Sequence, residues 1–329
     1  MMYFLRTFVF KRTNFIFFIS IFSLPIAQAE NNDATWQLLQ KTAVAGHVLN
    51  YHGIFVYSNR NETKAVQVKH IYNGQGEYAR NVTLDLSPRE MFSQGGDLVI
   101  YNPKEEKVII EKRHAQNLFP NVLPLKSSRL KTSYYLHEAE EDTVSGRASR
   151  QLLLFPKDNY RYSYKFLVDK EYGLLLKYEM LNDKHEVLES IVFNELNLIK
   201  NLELDWFQPH IDNKKNYEME EEMPIVPDSS NSPAWSINQL PAGYLKIDQM
   251  KVTAHNRKVP MTQLIFSDGL SSISLFIEPL SGQIPPRIGN VKMGYTNLYA
   301  NVKKGYQITV VGEVPKEAVI KIGESVSFK

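Results

Sequence analysis

Residues 50–57 read Asn50-Tyr51-His52-Gly53-Ile54-Phe55-Val56-Tyr57, and Tyr51, Gly53, Phe55 and Tyr57 fall on alternate positions. A period of two puts those four on one face of an extended strand. The alternation returns at Val66, Val68, His70 and Tyr72, and Asn73-Gly74 then supplies a hairpin turn. Upstream, Trp36, Leu39 and Ala43 recur at spacings of three and four, so a helix is predicted over 33–45 with Asp33 as its cap.

The period of two continues through 98–101, 107–111, 134–140, 150–155, 162–168, 174–180 and 187–198. Gly95-Gly96, Asn102-Pro103, Ser145-Gly146 and Gly173 punctuate it. About ten strands in up-and-down order make one meander, which must curl or close to hide its apolar face. Residues 120–132 are predicted as a loop or short helix laid against it.

Periodicity stops between Gln208 and Ala234, where four prolines, the acidic run Glu218 to Glu222 and a Ser/Asn stretch read as a linker. Beyond it, strands are predicted at 244–249, 261–266, 272–278, 297–302 and 306–311, with turns at Asp268-Gly269 and Gly305. A closing helix starts at Pro315 and carries Val319, Ile322 and Val326 on one face. The fold class is therefore mainly β, in two domains: 30–207, and a smaller antiparallel sheet with one helix at 235–329, joined by a linker at 208–234.

Residues 1–29 read as a signal peptide. Arg6, Lys11 and Arg12 precede an apolar run from Phe15 to Ile26, and Ala27-Gln28-Ala29 offers the small residues of a cleavage site, so Glu30 is the expected mature start. A membrane anchor is the poorer alternative, because the run is short of the ~20 residues a bilayer needs. Cleavage would leave 35 basic against 36 acidic residues, so no charge excess points to nucleic acid. The absence of cysteine rules out disulfides, thiolate catalysis and a lipoprotein anchor, and it fits a Gram-negative periplasm.

Several catalytic patterns fail their context. Gly74-Gln75-Gly76-Glu77-Tyr78-Ala79 matches a dinucleotide fingerprint, but a strand follows where a helix must open. Ser128-Arg129-Leu130-Lys131 resembles a serine–lysine pair without its Lys-Thr-Gly partner. The eight histidines show no ligand spacing and read as single surface or partly buried residues, and His137-Glu138 and His185-Glu186, placed on strands, would point to opposite faces. No metal and no cofactor is implied. A carboxylate pair of the glycosidase kind needs no motif and stays open.

The chain is rich in aromatics, with 18 tyrosines and 17 phenylalanines. On a curled sheet, Tyr51, Phe55, Tyr57, Tyr72, Tyr101, Tyr162 and Tyr164 are candidates to line an apolar ligand groove, against the alternative that they are core.

Trp235, Leu240-Pro241-Ala242-Gly243-Tyr244, Phe266-Ser267-Asp268-Gly269-Leu270 with Ser274 and Phe276, and Gly312-Glu313-Val314-Pro315 follow one another as in the MucB/RseB family of sigma-E regulators, which residues 50–57 also resemble. The resemblance implies a periplasmic protein that binds the periplasmic segment of a membrane anti-sigma factor and shields it from proteolysis. It implies a first domain similar to the lipoprotein carriers of the Lol system, an unclosed β-barrel with helices in its mouth. It further implies sensing of lipoprotein or lipopolysaccharide acyl chains, and no catalytic residue. The turn at Ser267 to Leu270 is expected to be structural. The partner-binding surface and any homo-oligomer stay open, and a lipid or lipoprotein carrier is the alternative function.

Overall fold

A computed structural model describes residues 26–85, 89–94, 97–102, 107–112, 118–199, 218–221, 226–227, 235–252, 261–280 and 285–328. The predicted signal sequence up to residue 25 lies outside them. Helix α1 (Ile26–Val48) begins before the expected cap. Asp33 sits inside it, because Ala27, Ala29 and Ala34 favour helix on both sides of that residue. Its buried stripe is Trp36, Leu39 and Ala43, the residues whose spacing predicted it.

Eleven strands of the first domain follow: β1 (Tyr51–Asn59), β2 (Thr63–Tyr72), β3 (Glu77–Thr83), β4 (Glu90–Gln94), β5 (Asp97–Asn102), β6 (Lys107–Lys112), β7 (Tyr134–Val144), β8 (Arg147–Pro156), β9 (Ser163–Asp169), β10 (Leu175–Leu181) and β11 (Val187–Leu198). Strand β4 went unpredicted, since Met91-Phe92-Ser93 is too short a run to show alternation. The strands form two meanders, not one: β1 to β6 run one way across the sheet and β11 back to β7 the other, joined where β1 pairs antiparallel with β11. At that join a Cβ on Gly53 would lie 2.1 Å from the Glu195 carbonyl, so the close approach requires glycine. Between the meanders, residues 118–127 and the short helix α2 (Ser128–Ser133) lie in the mouth of the curl and send Phe119, Leu123 and Leu130 into the core.

The linker is less featureless than its composition suggests. Strand β12 (Glu218–Glu221) runs parallel to β6 at one end of the large sheet, and β13 (Val226–Pro227) pairs with β15 (Leu245–Val252) of the second sheet. Both edge strands offer unpaired backbone groups, a template that a sequence without side-chain periodicity can still use. The large sheet therefore has twelve strands and stays unclosed, ending at β12 and β7.

The second domain adds β14 (Trp235–Ile237), β16 (Met261–Ser267), β17 (Ser272–Pro279), β18 (Gly289–Met293), β19 (Thr296–Lys303), β20 (Tyr306–Gly312), helix α3 (Lys316–Ser325) and β21 (Val326–Phe328). Seven strands run in the order β13-β15-β16-β17-β20-β19-β18. Helix α3 covers that sheet with Ala318, Val319 and Ile322, all fully buried. Val326 is buried as expected but begins β21, which pairs with β14 and so ties the start of the domain to its end.

Candidate functional site

The mouth of the curled sheet does not open to solvent alone. The second domain stands over it, and between them lies a cavity of about 660 Å³. Its first-domain wall carries Phe55 and Tyr57 of β1, Val66 of β2, Met91 of β4, Tyr164 of β9, Tyr178 and Met180 of β10, Ile191 of β11, and Phe119 and Val122 from the mouth segment. The aromatic part is packed edge to face: Phe55 and Phe119 have ring centroids 5.1 Å apart, and Phe55 and Phe193 6.1 Å. Glu62, Lys64, Asp85 and Arg89 add charge to the lining. The second domain contributes Gly269 to Ser272, Ser274, Thr296 and Val311 to Glu313.

Polar contacts close the seam beside the cavity. Tyr295, in the turn between β18 and β19, donates to Glu189 Oε2 at 2.5 Å and meets the Tyr57 hydroxyl at 3.0 Å. Tyr162 donates to the Tyr295 carbonyl at 3.3 Å, and its hydroxyl accepts from Asn297 Nδ2 at 3.4 Å. Burial pushes the Tyr162 phenol up to about 12 and raises Tyr57 as well, so both remain protonated donors at neutral pH. Deeper in the seam, Arg161 Nε of the first domain donates to Asp268 Oδ2 at 2.8 Å, with neither side chain exposed.

The seven aromatics predicted for a groove go to different places. Phe55, Tyr57 and Tyr164 face the cavity. Tyr162 is at the domain seam, and Tyr51 lies in the core, its ring stacked on His70 at 4.9 Å. Tyr101 belongs to a separate small cluster with Phe92 and Val108, and Tyr72 is on the outer surface at 38% exposure. The lining residues that sequence reasoning passed over, Met180, Ile191 and Phe119, are not marked by aromatic richness on a strand. Met180 and Ile191 were nonetheless legible as members of the face that also carries Tyr178 and Phe193.

The histidines depart from expectation. His47 of α1 and His70 of β2 converge on Glu77, with His47 Nδ1 2.9 Å from Oε2 and His70 Nε2 3.0 Å from Oε1. Asn121 donates to the same carboxylate at 3.1 Å, and the other ring nitrogen of His70 meets the Leu49 carbonyl at 2.8 Å. Burial would raise the Glu77 carboxyl, but hydrogen bonds and charge from both histidines bring it down to about 2. Their partner is a single glutamate brought in by strand pairing, which no spacing in the sequence discloses. His185-Glu186 lies in the turn after β10 rather than on a strand, with His185 at φ 61°. Lys131 pairs with Asp33 at 3.5 Å and sits over the Trp36 ring.

An unclosed β-sheet with its mouth filled by short segments, capped by a second β domain across a cavity of mixed aromatic and charged lining, defines a two-domain binding protein. Residues 34–211 match the MucB/RseB N-terminal domain and residues 229–327 the MucB/RseB C-terminal domain, and the chain belongs to the MucB/RseB family. It is 26% identical to the sigma-E factor regulatory protein RseB of Haemophilus influenzae, over 94% of this chain and 96% of that protein. It is also 26% identical to the sigma factor AlgU regulatory protein MucB of Pseudomonas aeruginosa, over 93% of this chain and 94% of the relative. Among solved structures, the Pseudomonas aeruginosa MucA/MucB complex aligns with a TM-score of 0.72 at 25% identity, covering 90% of this chain and 99% of that one.

Proposed function

We propose that this chain is a periplasmic regulatory protein that binds the periplasmic segment of a membrane anti-sigma factor, shields it from proteolysis, and responds to envelope stress through an apolar ligand. The carrying observation is that both domains match the family in order, while the fold aligns with a MucB chain solved with MucA. A second solved structure, MucB with the periplasmic part of MucA, aligns at a TM-score of 0.71. Export follows from the basic, apolar and small-residue order of residues 1–29. The proposed role is binding, since the relatives are named as regulators.

In this account the ligand is an acyl chain lying against Phe55, Tyr57 and Tyr164, where each buried CH₂ contributes about 0.8 kcal/mol. The cavity also suits a lipid or lipoprotein carrier. The second domain favours the regulator, because it supplies one side of the cavity and a simple carrier needs no such appendage. Purified periplasmic segment of the organism's anti-sigma factor, digested by a soluble protease with and without this protein, tests the proposal. Cleavage should slow in proportion to the fraction bound, and an unchanged rate at excess protein refutes the regulator and raises the carrier.

A further inference from the structure

The Asp268-Gly269 turn has a second face besides the one its sequence explains. Asp268 Oδ1 closes the turn locally, accepting from Leu270 N at 3.0 Å, Ser271 N at 2.9 Å and Ser271 Oγ at 3.1 Å. Its other oxygen, Oδ2, leaves the domain: it receives Arg161 Nε at 2.8 Å and the Tyr134 hydroxyl at 3.0 Å. The remaining Arg161 nitrogens are held by Asp158 and by the Ala242 carbonyl, and the guanidinium lies 4.6 Å from the centre of the Tyr244 ring. Both side chains are fully buried and hydrogen-bonded, and Asp268 Oδ2 and two of the three Arg161 nitrogens make their bonds across the domain boundary.

The same turn also reaches the cavity. Gly269, Leu270 and Ser271 line it, Leu270 packs against the first-domain core, and Pro124 lies 3.2 Å from where a Cβ on Gly269 would stand. One tight turn thus carries Asp268 of the ion pair and, directly after it, Gly269, Leu270 and Ser271 on the candidate ligand space. Burying two charges is costly and is offset only in good geometry, and a half-separated pair keeps the desolvation cost while losing the attraction. The stable arrangements are therefore closed, with the pair made, or open, with both groups hydrated.

We propose that the Ser267 to Ser271 turn is an interdomain latch: the Arg161–Asp268 pair holds the second domain against the first, and displacement of Leu270 from the cavity releases it. The closed state stands on the geometry alone; the release by an occupant rests on the ligand role given to the cavity above. An occupant shifts the equilibrium only if it prefers the open arrangement, which any body larger than the space left beside Leu270 must. Arg161, Asp268 and Leu270 act here as positioning residues.

The chain has no cysteine, so two introduced ones are uniquely labelled. Glu140→Cys on β7 and Glu324→Cys on α3, both exposed, place spin labels on the two domains for distance measurement by pulsed electron resonance in the full chain. The parent should give one distance. Asp268→Asn keeps the Oδ1 turn bonds but sets an NH₂ against Arg161 Nε–H, so it should add a longer population. The double variant Arg161→Met/Asp268→Asn, which leaves no unpaired charge at position 268 and only the part-exposed Asp158 without its partner, should return part of that population to the parent distance. Leu270→Trp, which crowds the cavity without touching the pair, should produce the same longer distance as Asp268→Asn. Should Asp268→Asn not fold, Arg161→Lys reads the latch in its place. The parent distance in every folded single variant overturns the latch, and opening by Asp268→Asn without opening by Leu270→Trp overturns the release through the cavity. Neither result depends on binding of an anti-sigma segment, so failure of that function is scored separately.

Discussion

Around Glu77, the groups that meet all belong to the first domain: His47 from the leading helix, His70 from β2 and Asn121 from the mouth segment. Around Asp268 they come from both, with Arg161 and Tyr134 on one side and the turn's own amides on the other. The Glu77 side chain keeps 28% of its surface in solvent, whereas Asp268 and Arg161 keep none. Water can replace a lost partner at the first cluster and not at the second. Similar charged hydrogen bonds therefore do different jobs: inside one domain they fix where a helix end sits on its sheet, and across two domains they fix whether the domains are one body.

The largest effect is expected where no water can enter. Arg161→Met leaves Asp268 buried without its partner and should cost about 3–5 kcal/mol, measured by urea unfolding of the full chain. A cost below about 1 kcal/mol, the value of a surface pair, would erase the difference between the two clusters.

Next comes Glu77→Gln. The Glu77 carboxyl is held at about 2, below its ordinary 4.5, so it contributes stability that is complete above about 4.5 and is lost as pH falls through about 2. The stability gap between parent and Glu77→Gln should be at most on the order of 3 kcal/mol near pH 5 and should close in that acid window. A gap independent of pH between 5 and 2 would show that the glutamate's charge does not hold the cluster.

Gly243 sharpens the seam. It has φ +82°, and a Cβ there would fall 2.0 Å from Ser133 Oγ, which itself bonds the Ala242 carbonyl at 3.3 Å. Gly243→Ala should destabilise by roughly 1–3 kcal/mol from the left-handed backbone and the clash. Adding Ser133→Ala should recover the clash portion only, which a double-mutant cycle measures. Smallest is Tyr57→Phe, which removes one hydroxyl from the Tyr295–Glu189 contact and should cost about 1 kcal/mol. A larger loss would move the main hold of the seam from Asp268 to Tyr295.

What was legible in the sequence follows the reach of each signal. Period-two alternation runs along one strand, so β1, β2 and β7 to β11 were readable residue by residue, and Trp36, Leu39 and Ala43 announced their helix face. Order in the sheet is not carried along a strand, and the pairing of Tyr51 with Leu198 that turns one meander into two could not be read locally. The short β4 and the backbone-paired β12 lacked any side-chain period. Of the aromatics that stand out in the sequence, Phe55, Tyr57 and Tyr164 face the cavity, while Tyr72 and Tyr101 share that property and lie elsewhere. Asp268 was noticed for its turn, and its partner 107 residues away was invisible because the seam exists only once both domains are folded.

The two docked domains are proposed to form together the binding body for an anti-sigma segment. This is tested most directly by titrating the full, folded chain with the purified periplasmic segment of the organism's anti-sigma factor in a calorimeter. The account predicts a saturable isotherm for the chain with its Arg161–Asp268 pair intact. No detectable binding, with circular dichroism showing the protein folded, would contradict it.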